Sequence, residues 1–269
     1  MSNYRLEGKT FVIDDYDRMP AFSSFLPGLA GVKGIPMWTF YTNRGQGMNS
    51  FGIGNKGNAI MEFNSANTAF ENTQVKGFRT FLKIDGEYYE PFFTYEKEAK
   101  RQMRMNKNSF KIIETNEKYG IEVTVNYYVL PNESIGALVR QVSVKNIGDS
   151  AKEVQVIDGL PKIITYGIAN GEFKEMSNLF KSWADIRNLE NKVPYYTLRA
   201  STKDSAEVSD VEGGYYYLTV RDGKLQDVIY DVDTVYGYDL SLMKPVNFVE
   251  GGIDKVLAKK QCFANKVPC

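Results

Sequence analysis

The chain has 269 residues, 43% of them hydrophobic, and its 33 Lys+Arg exactly balance 33 Asp+Glu. Zero net charge excludes the basic excess with which nucleic-acid binders displace counterions from phosphates. There is no histidine, which removes the commonest general base, the Ser–His and Cys–His nucleophile systems, and imidazole metal sites.

Residues 1–9 lack an apolar signal core, and no stretch approaches the ~18 consecutive apolar residues of a membrane span. The expected location is cytoplasmic, with no membrane or nucleic-acid partner. An aromatic content of 13% leans toward sheet, because these rings fit a pleated, half-buried surface.

In chain order, strands are expected at 10–13, 37–42, 48–53, 59–63 and 78–84. Asp85-Gly86 is a hairpin signal leading into a strand at 87–92. Four alternating runs follow, at 111–115, 119–130, 137–146 and 153–160. The second places Ile121, Val123, Val125, Tyr127 and Val129 on one face, with Glu122, Thr124, Asn126 and Tyr128 on the other. The third points Leu138, Val142 and Val144 inward. Short turns between such runs make antiparallel sheet with one packed and one wet face. Further strands are expected at 195–201, 214–221 and 226–231, with Asp222-Gly223 as a second hairpin turn.

One segment has helical spacing. Phe173, Met176, Leu179, Phe180 and Trp183 recur at three- and four-residue steps, so one short helix is expected around 172–188, its stripe packed on the core. About a dozen strands are too many for one flat sheet. The expected fold is therefore all-β, an antiparallel sandwich of two large stacked sheets. No linker divides the chain, so 1–269 reads as one domain.

Several motifs resolve toward structure rather than chemistry. Gly52-Ile-Gly-Asn-Lys-Gly57 matches the dinucleotide pattern in letters, but a strand-like run follows it where a helix is required. The basic stretch of Lys97, Lys100, Arg101, Arg104 and Lys107 reads as a solvated face or edge-strand protection. Asp14, Asp15 and Asp17, like Asp231 and Asp233, fall where turns are expected and lack the pattern of a calcium loop. Cys262 and Cys269 read as free thiols. No catalytic residue, metal site or cofactor is expected.

The loop 41–50 is the most chemically loaded. It combines an aromatic ring, a guanidinium, amides and glycines that allow close backbone approach, the mixture that binds sugars. Tyr41, Arg44, Gln46 and Asn49 are its candidate substrate-binding residues.

Three strings, Phe22-Ser-Ser-Phe-Leu-Pro-Gly-Leu-Ala-Gly-Val-Lys-Gly-Ile-Pro36, Tyr41-Thr-Asn-Arg-Gly-Gln-Gly47 and Ala59-Ile-Met-Glu-Phe-Asn64, resemble the N-terminal domain of glycoside hydrolase family 94 phosphorylases. The 1,2-β-oligoglucan phosphorylases are the nearest in wording, with cellobiose phosphorylase a relative. Gly77-Phe-Arg-Thr-Phe-Leu-Lys83, Glu90-Pro-Phe92 and Asp158-Gly-Leu-Pro161 continue the resemblance, which spans essentially the whole chain.

The resemblance implies a β-supersandwich, followed in such enzymes by a helical linker and an (α/α)6 barrel. It implies inverting phosphorolysis, in which inorganic phosphate attacks the anomeric carbon of a β-glucooligosaccharide to give α-glucose 1-phosphate. One protein acid suffices there, because phosphate replaces the activated water. The family's general acid and phosphate pocket lie in the barrel, which has no counterpart here. The chain alone is therefore expected to be an inactive fragment of a homodimeric glycosyltransferase-type enzyme. The alternative is a freestanding carbohydrate-binding module.

Overall fold

The computed structural model describes residues 3–26, 28–93, 98–176 and 179–259. Lys97 of the basic stretch, Cys262 and Cys269 lie outside the described residues. In chain order the elements begin with β1 (Tyr4–Glu7), β2 (Thr10–Asp14), β3 (Ser23–Phe25), β4 (Leu29–Ala30), β5 (Ile35–Thr42), β6 (Met48–Ile53) and β7 (Ala59–Met61). Then come α1 (Ala66–Lys76), β8 (Arg79–Ile84), β9 (Glu87–Tyr89), β10 (Lys100–Met105), β11 (Ser109–Asn116), β12 (Ile121–Val129), β13 (Leu138–Asn146) and β14 (Val154–Gly159). The rest are α2 (Asn170–Met176), α3 (Phe180–Trp183), β15 (Ala184–Arg187), β16 (Tyr195–Leu198), β17 (Tyr215–Tyr216), β18 (Val220–Arg221), β19 (Lys224–Leu225), α4 (Val232–Tyr236) and α5 (Val246–Ala258). The chain is mainly β, in several antiparallel sheets.

Two compact units form. The first comprises Met1–Asn55 with Phe63–Gly159, and the second Lys56–Glu62 with Leu160–Cys269. The chain crosses between them through ordinary globular sequence, so no linker composition marks the boundary.

The first unit is built on a six-stranded antiparallel sheet in the order β1-β2-β10-β11-β12-β13. Its packed face follows the period of two. Phe110 and Ile112 of β11, Ile121, Val123, Val125 and Tyr127 of β12, and Met103 of β10 are all buried. Tyr41 of β5 stacks on Phe110 at 4.4 Å, and Phe110 stacks on Tyr127 at 5.5 Å, giving a column of three rings. The same unit holds a three-stranded sheet, β14-β8-β9, and the pairings of β5 with β3, β4 and β6.

The basic stretch is not an edge. It forms β10, an inner strand between β2 and β11. Arg101 points into the core, with its side chain 2% exposed. Its Nε donates to Glu114 at 2.6 Å and its Nη1 to Asp17 at 2.6 Å. Glu114 also accepts from the Tyr89 hydroxyl and, at 2.6 Å, from the Phe92 amide. Burial pushes the Glu114 carboxyl up, and Arg101 beside it pulls against that shift. Phe92 stands at φ 64, a backbone region that a bulky residue adopts only when its surroundings impose it. The strand expected at 87–92 accordingly stops at Tyr89, just before Glu90-Pro91.

The second unit contains the antiparallel sheet β15-β16-β17 and the β18-β19 hairpin. The hairpin turns through Asp222 (φ 50) and Gly223 (φ 73), the conformation that the Asp-Gly pair favours. No strand forms at 226–231. Among the described residues of the helix expected over 172–188, Asn170–Met176 and the turn Phe180–Trp183 are helical, whereas Ala184–Arg187 is extended and pairs with β16. Phe173 and Phe180 are buried and meet edge-to-face at 5.1 Å, but Leu179 is 57% exposed and Trp183 37%. Burial of Ala184 and Ile186 at a step of two made cross-strand pairing the stronger organiser there.

α1 and α5 were not foreseen. α1 buries only Ala69 and Thr73, too thin a stripe to read by period. α5 bends at Gly252 (φ 64), and its Gly-Gly pair masks a helical run. Asp231 caps α4 by accepting from the Asp233 amide at 3.1 Å, so this acidic pair serves a helix start.

Two outcomes follow from this packing. Glu114→Gln, which leaves the buried Arg101 undercompensated, is expected to cost about 3–5 kcal/mol of unfolding free energy in denaturant titration. Lys100→Ala, in the solvated pair with Glu117, should leave the denaturation midpoint unchanged.

Burial also raises the hydroxyls of Tyr16, Tyr89 and Tyr127 above the ordinary value of 10.0. The unfolded chain sheds these protons first, so their stabilisation is complete below pH 10 and declines as pH rises past it. The tyrosinate absorbance of these three buried rings should therefore appear in one cooperative step together with loss of the sheet circular-dichroism signal. Independent titration of these rings in the folded state would count against it.

Candidate functional site

The turn joining β5 and β6 is tight, with the Thr42 amide bonded to the Gly47 carbonyl at 2.8 Å and the Gly47 amide to the Arg44 carbonyl at 2.9 Å. Its glycines are set by protein rather than by ligand. A Cβ on Gly47 (φ 84) would meet Phe110 Cζ at 2.3 Å, and one on Gly45 (φ 49) would meet Gln74 Cα at 2.9 Å. The neighbouring Asn43, wholly buried, accepts from the Phe22 amide and donates to the carbonyls of Tyr16 and Pro20. It pins residues 16–22 to the turn, a role that sequence reasoning missed.

The four candidate residues take four different environments. Tyr41 is 6% exposed and has a ring face against Phe110, so it is no open platform, and burial pushes its hydroxyl up. Arg44 donates to the carbonyls of Asn43 and Met19. Asn49 is half-buried and makes no hydrogen bond to a described residue. Gln46, 3% exposed, points inward.

Gln46 instead enters a polar cluster drawn from four strands and turns. Thr80 of β8 and Asp158 of β14 are direct cross-strand partners. Thr80 Oγ1 donates to Asp158 Oδ1 at 2.6 Å and accepts from Gln46 Nε2 at 3.1 Å. Arg140 Nη2, from β13, donates to Gln46 Oε1, to Thr80 Oγ1 at 3.1 Å and to Asp158 Oδ1 at 2.9 Å. The guanidinium carbon lies 5.1 Å from the Phe78 ring centre and 5.6 Å from that of Tyr127, so the cluster caps the aromatic column. Arg140 Nε and Nη1 and the Tyr127 hydroxyl are buried without a hydrogen-bond partner.

A second pair lies on the neighbouring residues. Arg79, 2% exposed, holds Glu90 through Nε–Oε1 at 2.7 Å and Nη2–Oε2 at 2.8 Å. Burial raises the Glu90 carboxyl and Arg79 opposes it. The arrangement is a two-pronged clamp between β8 and the segment after β9.

Arg140 and Glu114 were both legible in principle. Each occupies the apolar phase of an alternating strand, Arg140 between Leu138 and Val142, Glu114 after Phe110 and Ile112. A charge at that phase is buried or paired, and the period shows it. What the charge pairs with is not in the period.

Within the first acidic cluster the side chains have separate partners. Asp17 pairs with Arg101, and Asp14 takes Arg5 and Gln102. Among the described residues no group of three or more His, Cys, Asp or Glu side chains is placed to hold a metal ion. No helix among them is long and apolar enough to cross a membrane. Compared with known proteins, the chain matches no protein-family model and no curated protein.

Because Gln46 and Asp158 share Arg140 Nη2 and Thr80 Oγ1, their alanine variants should not add. A double-mutant cycle is expected to give a coupling of about 0.5–3 kcal/mol. Asn49→Ala, which shares no partner with them, should be additive with either.

Proposed function

We propose that this chain is the N-terminal, non-catalytic domain of an inverting glycoside phosphorylase that acts on β-1,2-linked glucooligosaccharides and inorganic phosphate. The observation that carries the reading is the resemblance of long contiguous strings, and the meeting of their side chains in space supports it. Gln46 of Tyr41–Gly47, Thr80 of Gly77–Lys83 and Asp158 of Asp158–Pro161 meet on one guanidinium. Arg79 of the second string clamps Glu90 of a fourth. Strings that build one scaffold together are expected to persist together.

On this reading the two units belong to a β-supersandwich, and the catalytic acid and phosphate pocket are carried by a helical barrel that follows. The whole enzyme is a cytoplasmic homodimer. The polar clusters hold loops in place and take no chemical step. The gene product extended through the barrel should release phosphate from α-glucose 1-phosphate when given β-1,2-glucooligosaccharide acceptors. The present chain alone should release none. Turnover by this chain alone, or an extended product lacking phosphorolysis, would overturn the reading.

A second reading, a freestanding carbohydrate-binding module, is favoured by one observation. Pro36, Trp38 and Phe40 alternate on the outer face of β5, and Phe25 of β3 lies opposite Phe40 at 5.2 Å. Trp38 is 37% and Phe25 40% exposed. Solvent-facing rings of this kind suit the apolar face of a sugar. A module of that type should bind oligosaccharide with quenching or enhancement of tryptophan fluorescence, and Trp38→Ala should remove most of the affinity.

A further inference from the structure

Four carboxylates in the first unit are paired with buried guanidinium groups, and the two aspartates, Asp17 and Asp158, each engage through a single oxygen, Asp158 being the more exposed at 26% against 11%. Glu90 spends Oε1 on Arg79 Nε, and Oε2 on Arg79 Nη2 and the Tyr88 hydroxyl. Glu114 spends Oε1 on Tyr89, and Oε2 on Arg101 and the Phe92 amide. Both are closed, with each oxygen occupied. Asp158 takes Thr80 and Arg140 on Oδ1 alone. Its Oδ2 accepts nothing from any described residue, and the side chain is 26% exposed.

We infer that Asp158 Oδ2 is the hydroxyl-accepting atom of a saccharide subsite, held in place by Thr80 and Arg140. The carboxylate cannot rotate without losing two charge-assisted bonds, and Arg140 is itself fixed by Gln46, so the free oxygen is presented in one orientation before any ligand arrives. An oxygen of this kind only accepts, so the ligand must bring a donor. Arg140 already offsets the carboxylate charge, which disfavours an ammonium or a metal ion and favours a neutral hydroxyl. Phe78, half-buried under the same guanidinium that holds Asp158, is the apolar ring nearest in the cluster's bonding chain. A hydroxyl next to a C–H face is the chemistry of a sugar ring. That the sugar is a β-linked glucooligosaccharide rests on the function proposed above.

The test is carbodiimide labelling of carboxylates on the intact chain, read by peptide mass spectrometry, with and without β-1,2-glucotriose. Labelling of Asp158 should fall at least about threefold with the sugar, while exposed Asp222 and Glu117 stay unchanged. Calorimetry of Asp158→Asn, which keeps shape and an acceptor but loses the charge, should show affinity lowered about tenfold or more. Should that variant fail to fold, the labelling of the unmodified chain still decides. Sugar binding by calorimetry without protection of Asp158 would place the subsite elsewhere and overturn this inference, leaving the phosphorylase reading intact. Absence of any binding or protection overturns it as well. The phosphorylase reading itself stands or falls separately, on phosphate release by the extended gene product.

Discussion

A guanidinium buried against a carboxylate on the packed face of the six-stranded sheet is the constraint from which the first unit is organised. Arg101 and Glu114 occupy core positions of adjacent strands, where an apolar pair would satisfy the packing alone. Each would be costly there without the other. What the pair adds is direction. Glu114 reaches the Tyr89 hydroxyl and the Phe92 amide, Arg101 reaches Asp17, and three segments distant in sequence are held to one point. An apolar core tolerates sliding of a loop over it, whereas a hydrogen-bonded charge does not.

The same device recurs at Arg79–Glu90, tying β8 to the segment after β9, and at Arg140–Asp158, tying β14 to β13. The aromatic column of Tyr41, Phe110 and Tyr127 ends at the Arg140 guanidinium. Gly47 is required where the turn meets Phe110, and Gln46 is thereby delivered to Arg140. The turn thus packs on a phenylalanine ring and reaches a buried arginine.

Legibility was uneven, for physical reasons. Alternation over β11, β12 and β13 was clear because one face is dry and the other wet, and the Asp-Gly turns were clear because few residue pairs accept positive φ at low cost. The helix expected around 172–188 overran at its end, because Phe173 and Phe180 fit a helical stripe while the strand Ala184–Arg187 is imposed by its partner Tyr195–Leu198. β10 was missed because five cations within eleven residues suggest solvent, and only a partner 13 positions away explains why Arg101 can be inward. Of the proposed binding residues, Gln46 alone joins the polar cluster. Arg140 and Asp158, which complete it, are separated from Gln46 by about a hundred positions.

By itself the sequence determined the strand-rich character, the hairpin turns, the absence of imidazole chemistry and the parity of each long strand, since these depend on near neighbours and on composition. Only tertiary structure decided which charges are buried together, which carboxylate oxygens are left open, and which ring the Gly47 backbone packs against. Those outcomes depend on register between strands far apart in sequence, and a shift of one residue reverses the face that every side chain takes.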